Sequence, residues 1–213
     1  MNQVVLGLIV ANVLMSYKGI NDRSFIEKYK FQVGAIQKGD KIRLLSSGFL
    51  HADYIHLGFN MYALYLFSGT VIGSLGVFSF LLIYFGSLFI GNLVSMYYHK
   101  NEPYYSAVGA SGAVSGILYS SILLYPDMTL IMLPIPFPIP GYVFGVGYLL
   151  YSIYGMKKQL GNVGHSAHLG GAIGGFGLTL ILYPQIYFQN QLMVFLLAIP
   201  IVLLVVFEKK IRQ

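Results

Sequence analysis

Long apolar runs separated by short polar connections dominate this sequence of 213 residues. A helix needs about 20 mainly apolar residues to cross the hydrocarbon of a bilayer, and most of the runs come close to that length. The runs predict seven membrane-spanning helices at residues 4–17, 54–73, 76–98, 107–125, 142–154, 167–183 and 192–207. We therefore expect an all-α membrane protein, a polytopic helical bundle in a single domain over residues 1–213. It would have a six-span core at 1–184 and an additional seventh span within 190–208.

The polar connections differ in length and character. Residues 18–47 are rich in charge and form the longest predicted extramembrane loop, whose apolar members indicate packing on the bundle or a place at the interface. Residues 133–141 alternate proline with apolar residues, so they should form an extended surface segment rather than a helix. Residues 155–164 are predicted to be a glycine-containing polar loop.

Counting the spans brings three polar clusters to one face of the membrane. With seven spans, the first loop and the starts of the second, fourth and sixth spans lie on the same side. Those starts carry His51 and His56, Ser111, and His165 and His168, respectively. The topology therefore predicts a candidate site at this face.

Composition narrows the class of protein. The chain is 56% hydrophobic and 9% charged, with a mean hydropathy of +0.70, which excludes a soluble globular domain. It has no cysteine, so disulfides and thiolate metal sites do not enter. The opening run lacks a basic segment and a small-residue cleavage site, so we expect it to remain as the first span. The net charge of +6 is spread along the connections, which favours contact with membrane lipid and predicts no nucleic-acid partner.

Ser111 is the candidate nucleophile. It lies between small residues in the sequence G-A-S-G at 109–112. Small residues in a membrane helix commonly serve close helix packing, and this is the alternative interpretation. Activation of a serine hydroxyl needs a base, however, and the histidines of the other two clusters can supply one.

His56 and Asn60 form a second candidate pair. They are four residues apart, so they share one face of a helix, and both side chains can donate hydrogen bonds. Polar groups at hydrocarbon depth are costly without partners, which favours a functional site; satisfied interhelical hydrogen bonds are the alternative. His51 lies near the loop edge, where a supporting role by capping or packing is at least as well founded.

Two rows of glycines predict how Ser111 and His168 meet. Rows spaced four residues apart let two helix backbones approach closely, and Ser111 and His168 lie at the same end of their rows. The predicted packing glycines are Gly109, Gly112 and Gly116 on the fourth span and Gly171 and Gly175 on the sixth. No acidic residue lies in a span near His168, so the pattern indicates a Ser111–His168 dyad without a third member. The backbone N–H of Ser111, at a helix N-terminus, would stabilise an oxyanion together with His56 and Asn60.

A metal site is the competing chemistry. His165 and His168 are three residues apart and, with His51 or His56, could form a three-histidine zinc or iron site. The sequence has no H-E-x-x-H motif, and its acidic residues on this face lie in loops, so a general base and a carboxylate partner are lacking. We therefore expect no metal and no cofactor.

These residues resemble those of the rhomboid intramembrane serine proteases. The resemblance covers residues 43–175 and is carried by four motifs in order: R-L-L-S-S-G-F-L-H at 43–51, His56 with Asn60, G-A-S-G at 109–112, and A-H-L-G-G at 167–171. It implies Ser111 as nucleophile, His168 as general base, and His56, Asn60 and the Ser111 amide as oxyanion donors. It also implies six core spans and single-span membrane proteins as substrates, cut within or just outside the bilayer.

The sequence departs from the family pattern at three places. Ile42 stands where a tryptophan often precedes the loop arginine, and Ile72 where an acidic residue is common. Ser115 stands where an aromatic side chain, four residues after the nucleophile, often stacks on the base. Ser115 is instead expected to hydrogen-bond His168.

The resemblance also implies a location. It predicts a cell membrane, plasma or inner, with the site on the extracytoplasmic side, whereas the basic residues all lie on the site face and would place that face in the cytoplasm. Two other functions remain as alternatives. One is a catalytically silent relative that binds membrane proteins, and the other is a histidine-ligated metal protein.

Overall fold

A computed structural model describes residues 1–132, 135–158 and 164–211. The chain is mostly helical, as the hydrophobic pattern predicts. Its helices are α1 (Gln3–Asn21), α2 (Arg23–Tyr29), α3 (Val33–Gln37), α4 (Arg43–Ser46), α5 (Tyr54–Tyr98), α6 (Ser111–Leu124), α7 (Gly141–Lys158), α8 (His165–Leu182), α9 (Ile186–Gln189) and α10 (Gln191–Ile211). Its strands are β1 (Phe31–Gln32), β2 (Ser106–Ala107), β3 (Thr129–Met132) and β4 (Ile135–Pro140).

The first connection begins later and is more helical than predicted. Helix α1 continues past Lys18, so the rise in charge there does not end it. Asp22 follows α1 and begins α2, because its side-chain oxygen accepts hydrogen bonds from the N–H groups of Ser24 at 2.9 Å and Phe25 at 3.1 Å. The predicted loop 18–47 is therefore the end of α1 followed by three short helices and β1.

Arg43 ties this connection together. Its side chain is nearly buried, and its Nε lies 2.6 Å from a carboxylate oxygen of Asp40. Its Nη1 donates to the backbone carbonyls of Glu27 and Lys30, both at 2.9 Å. Because a guanidinium carries several donors in one plane, a single side chain joins α2 to α4.

Helix α5 holds both the second and the third predicted spans. A straight helix of its 45 residues would be about 67 Å long. Gly76 has a φ of +80°, which glycine adopts without a steric penalty, and the chain reverses there. The two ends of α5 consequently lie near the same residue, Ser47. Near the C-terminal end, the side chain of Asn92 lies 3.2 Å from the Ser47 hydroxyl. Near the N-terminal end, His56 lies beside Gly109, whose N–H donates to the Ser47 carbonyl at 3.0 Å. The two halves of α5 are thus antiparallel neighbours.

Helix α6 occupies the centre of the bundle. Every residue from Gly112 to Leu123 is buried, with α5 and α8 as the main neighbours. A methyl group on Gly171 would overlap the carbonyl group of Gly112, and one on Gly175 would overlap that of Gly116. The two glycine rows therefore face each other, and the backbones of α6 and α8 approach closely because no side chain stands between them.

The proline-rich segment forms an antiparallel hairpin. Strands β3 and β4 pair with Thr129 opposite Pro140. The extended conformation predicted for residues 133–141 is present in β4. The first two of those residues lie outside the described part of the chain, and the last, Gly141, is already the first residue of α7. Prolines at alternate positions cannot sustain a helix, because each lacks the N–H that a helix hydrogen bond needs, so the apolar pattern here does not become one.

Helix α7 extends into the connection predicted at 155–164, and α8 begins directly after it. Helix α7 continues to Lys158, and α8 begins at His165, two residues before the predicted start. Residues 159–163 lie outside the described part. His165 and His168 are consequently both in the first turn of α8.

Two of the described helices, α1 and α5, are long and apolar enough to cross a membrane by length and composition. Helix α6 and residues 191–203 of α10 are apolar but shorter. A helical membrane protein is therefore supported, and the count of seven spans stays a prediction from the hydrophobic pattern.

Candidate active site

Ser111 is the first residue of α6, and the segment before it is held on both sides. Gly109 donates its N–H to the carbonyl of Ser47 at 3.0 Å, and Ala110 donates its N–H to Nε2 of His51 at 3.3 Å. The N–H groups in the first turn of a helix have no acceptor within the helix. The amide of Ser111 is therefore presented outward at the start of α6.

Gly109 brings His56 next to Ser111. Its φ of +139° lies in the region that favours glycine. A methyl group there would come within 2.8 Å of Cε1 of His56 and 3.6 Å of Oγ of Ser111. Glycine is required on both grounds, because a side chain would be strained and would also push the imidazole away. Asp53 accepts the N–H of His56 at 2.7 Å and so caps the start of α5.

Asn60 follows one turn later on the same face. Its side chain is 6% exposed, and its Nδ2 donates to the carbonyl of His56 at 3.0 Å. An amide nitrogen carries two hydrogens, so one donor remains for another acceptor. Asn60 thus uses one of its two donor hydrogens within α5.

Helix α8 reaches the start of α6 through its backbone. A methyl group on Gly112 would lie 3.3 Å from the carbonyl oxygen of Ala167, and one on Gly91 would lie 2.7 Å from the same atom. His168, the next residue, therefore stands at the N-terminal end of α6.

One large cavity joins these groups. It has a volume of about 1550 Å³ and is lined by all four predicted functional residues, Ser111, His168, His56 and Asn60. Towards the loop face its wall includes charged residues such as Glu27 and Lys30, and towards the interior it includes apolar ones such as Phe59, Leu118 and Phe144. The arrangement can bring water and an apolar peptide segment to the same hydroxyl.

Ser115 does not contact His168 as expected. Its hydroxyl donates to the carbonyl of Ser111 at 2.7 Å and lies 2.6 Å from the hydroxyl of Tyr148 on α7. The ring of Tyr148 stacks on His168, with centroids 5.7 Å apart and planes 20° apart. The hydroxyl of Ser115 is thus engaged with Ser111 and Tyr148, and it is the ring of Tyr148, from another helix, that contacts the base. Sequence reasoning missed Tyr148, because one more aromatic residue in an apolar helix carries no signal of its own.

His51 holds the segment before Ser111 in place and is not among the residues that line the cavity. It is fully buried, and its Nδ1 lies 2.8 Å from the hydroxyl of Ser16, which in turn donates to the carbonyl of Phe49. Since Nε2 accepts from Ala110, the hydrogen-bond network assigns the proton to Nδ1. Burial lowers the pKa of His51 to about 3; the charge of His56 adds to the effect, and Asp53 opposes it.

The histidines do not gather around one point. His165 is 4% exposed and meets His168 edge to face, with ring centroids 6.2 Å apart, and it also meets Tyr151, with ring centroids 5.3 Å apart. Among the described residues, no group of three or more His, Cys, Asp or Glu side chains could hold a metal ion. The three-histidine arrangement considered from the sequence is therefore absent from this part of the chain.

Comparison with known proteins identifies the family. The Rhomboid domain model matches residues 38–185, well over half of the chain. This chain belongs to the rhomboid family. The match includes every residue of the candidate site, and the resemblance inferred from the motifs is confirmed.

Three relatives show the extent of the similarity to this rhomboid protein. Rhomboid protein 1, mitochondrial, of Saccharomyces cerevisiae is 31% identical over 71% of this chain and 44% of its own length. RHOMBOID-like protein 12, mitochondrial, of Arabidopsis thaliana is 27% identical over 79% and 55%. Presenilin-associated rhomboid-like protein, mitochondrial, of Mus musculus is 33% identical over 70% and 40%. The chain thus spans about half the length of these curated relatives.

The relatives correct the expected location. All three are named as mitochondrial, which contradicts the prediction of a plasma or inner cell membrane. The extracytoplasmic orientation, which was defined relative to that membrane, is withdrawn with it. Hydropathy shows that a chain enters a bilayer but contains no information on which organelle supplies the bilayer.

Proposed function

We propose that this rhomboid protein is an intramembrane serine endopeptidase with Ser111 as nucleophile and His168 as general base. The observation that carries the proposal is the cavity that Ser111, His168, His56 and Asn60 line together. A serine, a base and additional donors around one accessible volume are what acyl transfer requires.

The chemistry proceeds in two halves. Oγ of Ser111 attacks the carbonyl carbon of the scissile bond while His168 accepts its proton, and His168 then donates that proton to the leaving amine. Water attacks the resulting ester, His168 accepts a proton from it, and the acid product leaves as the proton returns to Ser111. The polar end of the cavity supplies the water.

The developing oxyanion is stabilised by three donors. The N–H of Ser111 is free of helix hydrogen bonds, and the imidazole of His56 stands on the other side of Gly109. Asn60 contributes the hydrogen that its own helix does not use. In a water-excluded site such donors are worth more than in solution, because they need no reorganisation.

Single-span membrane proteins are the proposed substrates. The apolar wall between the first half of α5 and α7 suits a segment that leaves the lipid, and the polar end suits a backbone that has lost its helical hydrogen bonds. Segments with small or helix-breaking residues unwind most easily there.

The test is cleavage of a single-span substrate by the purified protein in vesicles. Ser111→Ala and His168→Ala should abolish cleavage, and Asn60→Ala should slow it by at most about 10²- to 10³-fold, the range for one oxyanion donor. Ser121→Ala is the matched control. It removes a buried serine on the same helix, whose hydroxyl bonds the carbonyls of Phe67 and Ile117, and should leave cleavage near the wild-type rate.

Two results would contradict the proposal. Cleavage that survives Ser111→Ala would exclude the serine mechanism, and cleavage lost to a chelator would favour a metal. A wild-type protein that binds single-span proteins, cleaves none and does not react with a fluorophosphonate would instead be a silent binding protein.

A further inference from the structure

Tyr148 makes two contacts that converge on the candidate site. Its hydroxyl lies 2.6 Å from Oγ of Ser115, and its ring lies parallel to the imidazole of His168. The ring also stacks on Phe144, one turn earlier on α7, with centroids 6.0 Å apart. Tyr148 thus contacts both a residue of its own helix and the first turn of α8.

The hydrogen-bond directions follow from the number of protons. Ser115 has one hydroxyl hydrogen, which it gives to the carbonyl of Ser111 at 2.7 Å. Tyr148 must therefore donate to Ser115. The chain Tyr148 to Ser115 to Ser111 connects the ring to the residue that carries the predicted nucleophile.

No carboxylate near the cavity is free to orient His168 among the described residues. The cavity wall contains two, Glu27 and Asp53. Glu27 pairs with Lys30 at 2.8 Å, and Asp53 accepts the N–H of His56. The imidazole is instead bounded by flat groups: the ring of Tyr148 against its face and the ring of His165 edge to face.

We propose that Tyr148 is a positioning residue for His168, which holds the plane of the imidazole by stacking and is itself held by Ser115. The inference rests on the proposed function. It assigns to α7 a task that the sequence motifs, all on α4, α5, α6 and α8, do not include.

The orientation of His168 by Tyr148 depends on the contact between α7 and α6. Helix α7 is held against α6 by the hydroxyl of Tyr119, which donates to the carbonyl of Gly145, and by the small size of Gly145, where a methyl group would lie 3.0 Å from Ile122 and Leu197. A ring on α7 orients His168 only while this contact persists. The orientation of the base therefore depends on how closely α7 packs against α6.

Fluorophosphonate labelling of Ser111 tests the proposal without a substrate. Tyr148→Leu and Tyr148→Met remove the ring and should slow labelling about tenfold or more, whereas Tyr148→Phe keeps it and should slow labelling only about two- to threefold. Ser115→Ala removes the hydrogen bond that Tyr148→Phe removes, together with the bond to the carbonyl of Ser111. The double variant should therefore be no slower than Ser115→Ala alone. Leu149→Ala is the packing control, since Leu149 is fully buried on the same helix beside Tyr148.

The result expected is slow labelling of Tyr148→Leu and Tyr148→Met, with Leu149→Ala close to wild type at an equal or larger loss of thermal stability. Equal labelling of the Leu, Met and wild-type proteins, or equal slowing by Leu149→Ala, would overturn the inference. Nuclear magnetic resonance separates it from the proposed function. The ring-current shift on the imidazole protons of His168 should be kept in Tyr148→Phe and lost in Tyr148→Leu, even in the Ser111→Ala background. An unchanged shift would also overturn it.

Discussion

The contact between the glycine rows of α6 and α8 allows a prediction with an internal control. Gly171→Ala would place a methyl group within 2.8 Å of both the carbonyl carbon and the Cα of Gly112, in addition to overlapping the oxygen. These are backbone atoms, so they cannot rotate away. Gly177→Ala, six residues later on α8, meets nothing within 4 Å.

The two substitutions should change stability in opposite directions. Overpacking a well-packed interior costs about 1–3 kcal/mol, and contact with a rigid backbone places Gly171→Ala near 3 kcal/mol. Alanine is favoured over glycine within a helix by about 0.8–1 kcal/mol. The net change is therefore a loss of about 2 kcal/mol for Gly171→Ala and a gain of up to about 1 kcal/mol for Gly177→Ala, a difference of about 3 kcal/mol.

The free energy of unfolding can be measured by titration with sodium dodecyl sulfate in a mild detergent. Fluorophosphonate labelling of the folded protein then reports on Ser111. Moving α8 outward by about 1 Å should slow labelling by up to about 10²-fold in Gly171→Ala, because His168 moves with it. If both variants unfold at the same detergent fraction and react equally fast, the close approach of α6 and α8 is refuted.

Three further predictions concern the supports of the site. Arg43→Gln should lower the free energy of unfolding by about 1.5–3 kcal/mol and expose the connection after α1 to proteolysis, whereas exposed Arg23→Gln should do neither. Because His51 is neutral when folded and protonated when unfolded, stability should fall as the pH falls below 6.5, towards its folded pKa of about 3, by at most about 1.4 kcal/mol per pH unit. His51→Gln should flatten the slope between pH 6.5 and 5, and an unchanged slope would argue against a buried neutral His51. Thr179→Val removes a hydroxyl whose oxygen lies 2.7 Å from both the hydroxyl of Ser120 and the carbonyl of Gly175. It should cost about 0.6–1.7 kcal/mol in the same titration without slowing labelling. Slower labelling would mean that this contact also sets the position of His168.

The predicted residues of the site lie on local patterns. His56 and Asn60 were paired because residues four apart share a helix face, and the glycine rows because their spacing repeats along one face. Both patterns depend only on the helical period. The cavity contains the four residues that they indicated, and their catalytic roles stay a proposal until Ser111→Ala and His168→Ala are tested.

The errors of sequence reasoning arose where contacts cross between helices. Ser115 was expected to bond His168 because it stands where the family often has an aromatic residue that stacks on the base. Which side chain fills the gap depends on how far each helix is rotated about its axis and how closely it packs. Neither quantity leaves a periodic trace in the sequence, so Tyr148 had no signal.

The sequence by itself determined that this protein is a helical membrane protein of the rhomboid family, because apolar length, helical period and each of the four family motifs are properties of short contiguous stretches. It also determined where the backbone could approach closely, since only glycine leaves room for a neighbouring helix. Only the tertiary structure decided what stands beside the base. Tyr148 and His168 lie on different helices, and their contact exists because Gly145 lets α7 settle against α6 while the glycine rows draw α8 to the same end.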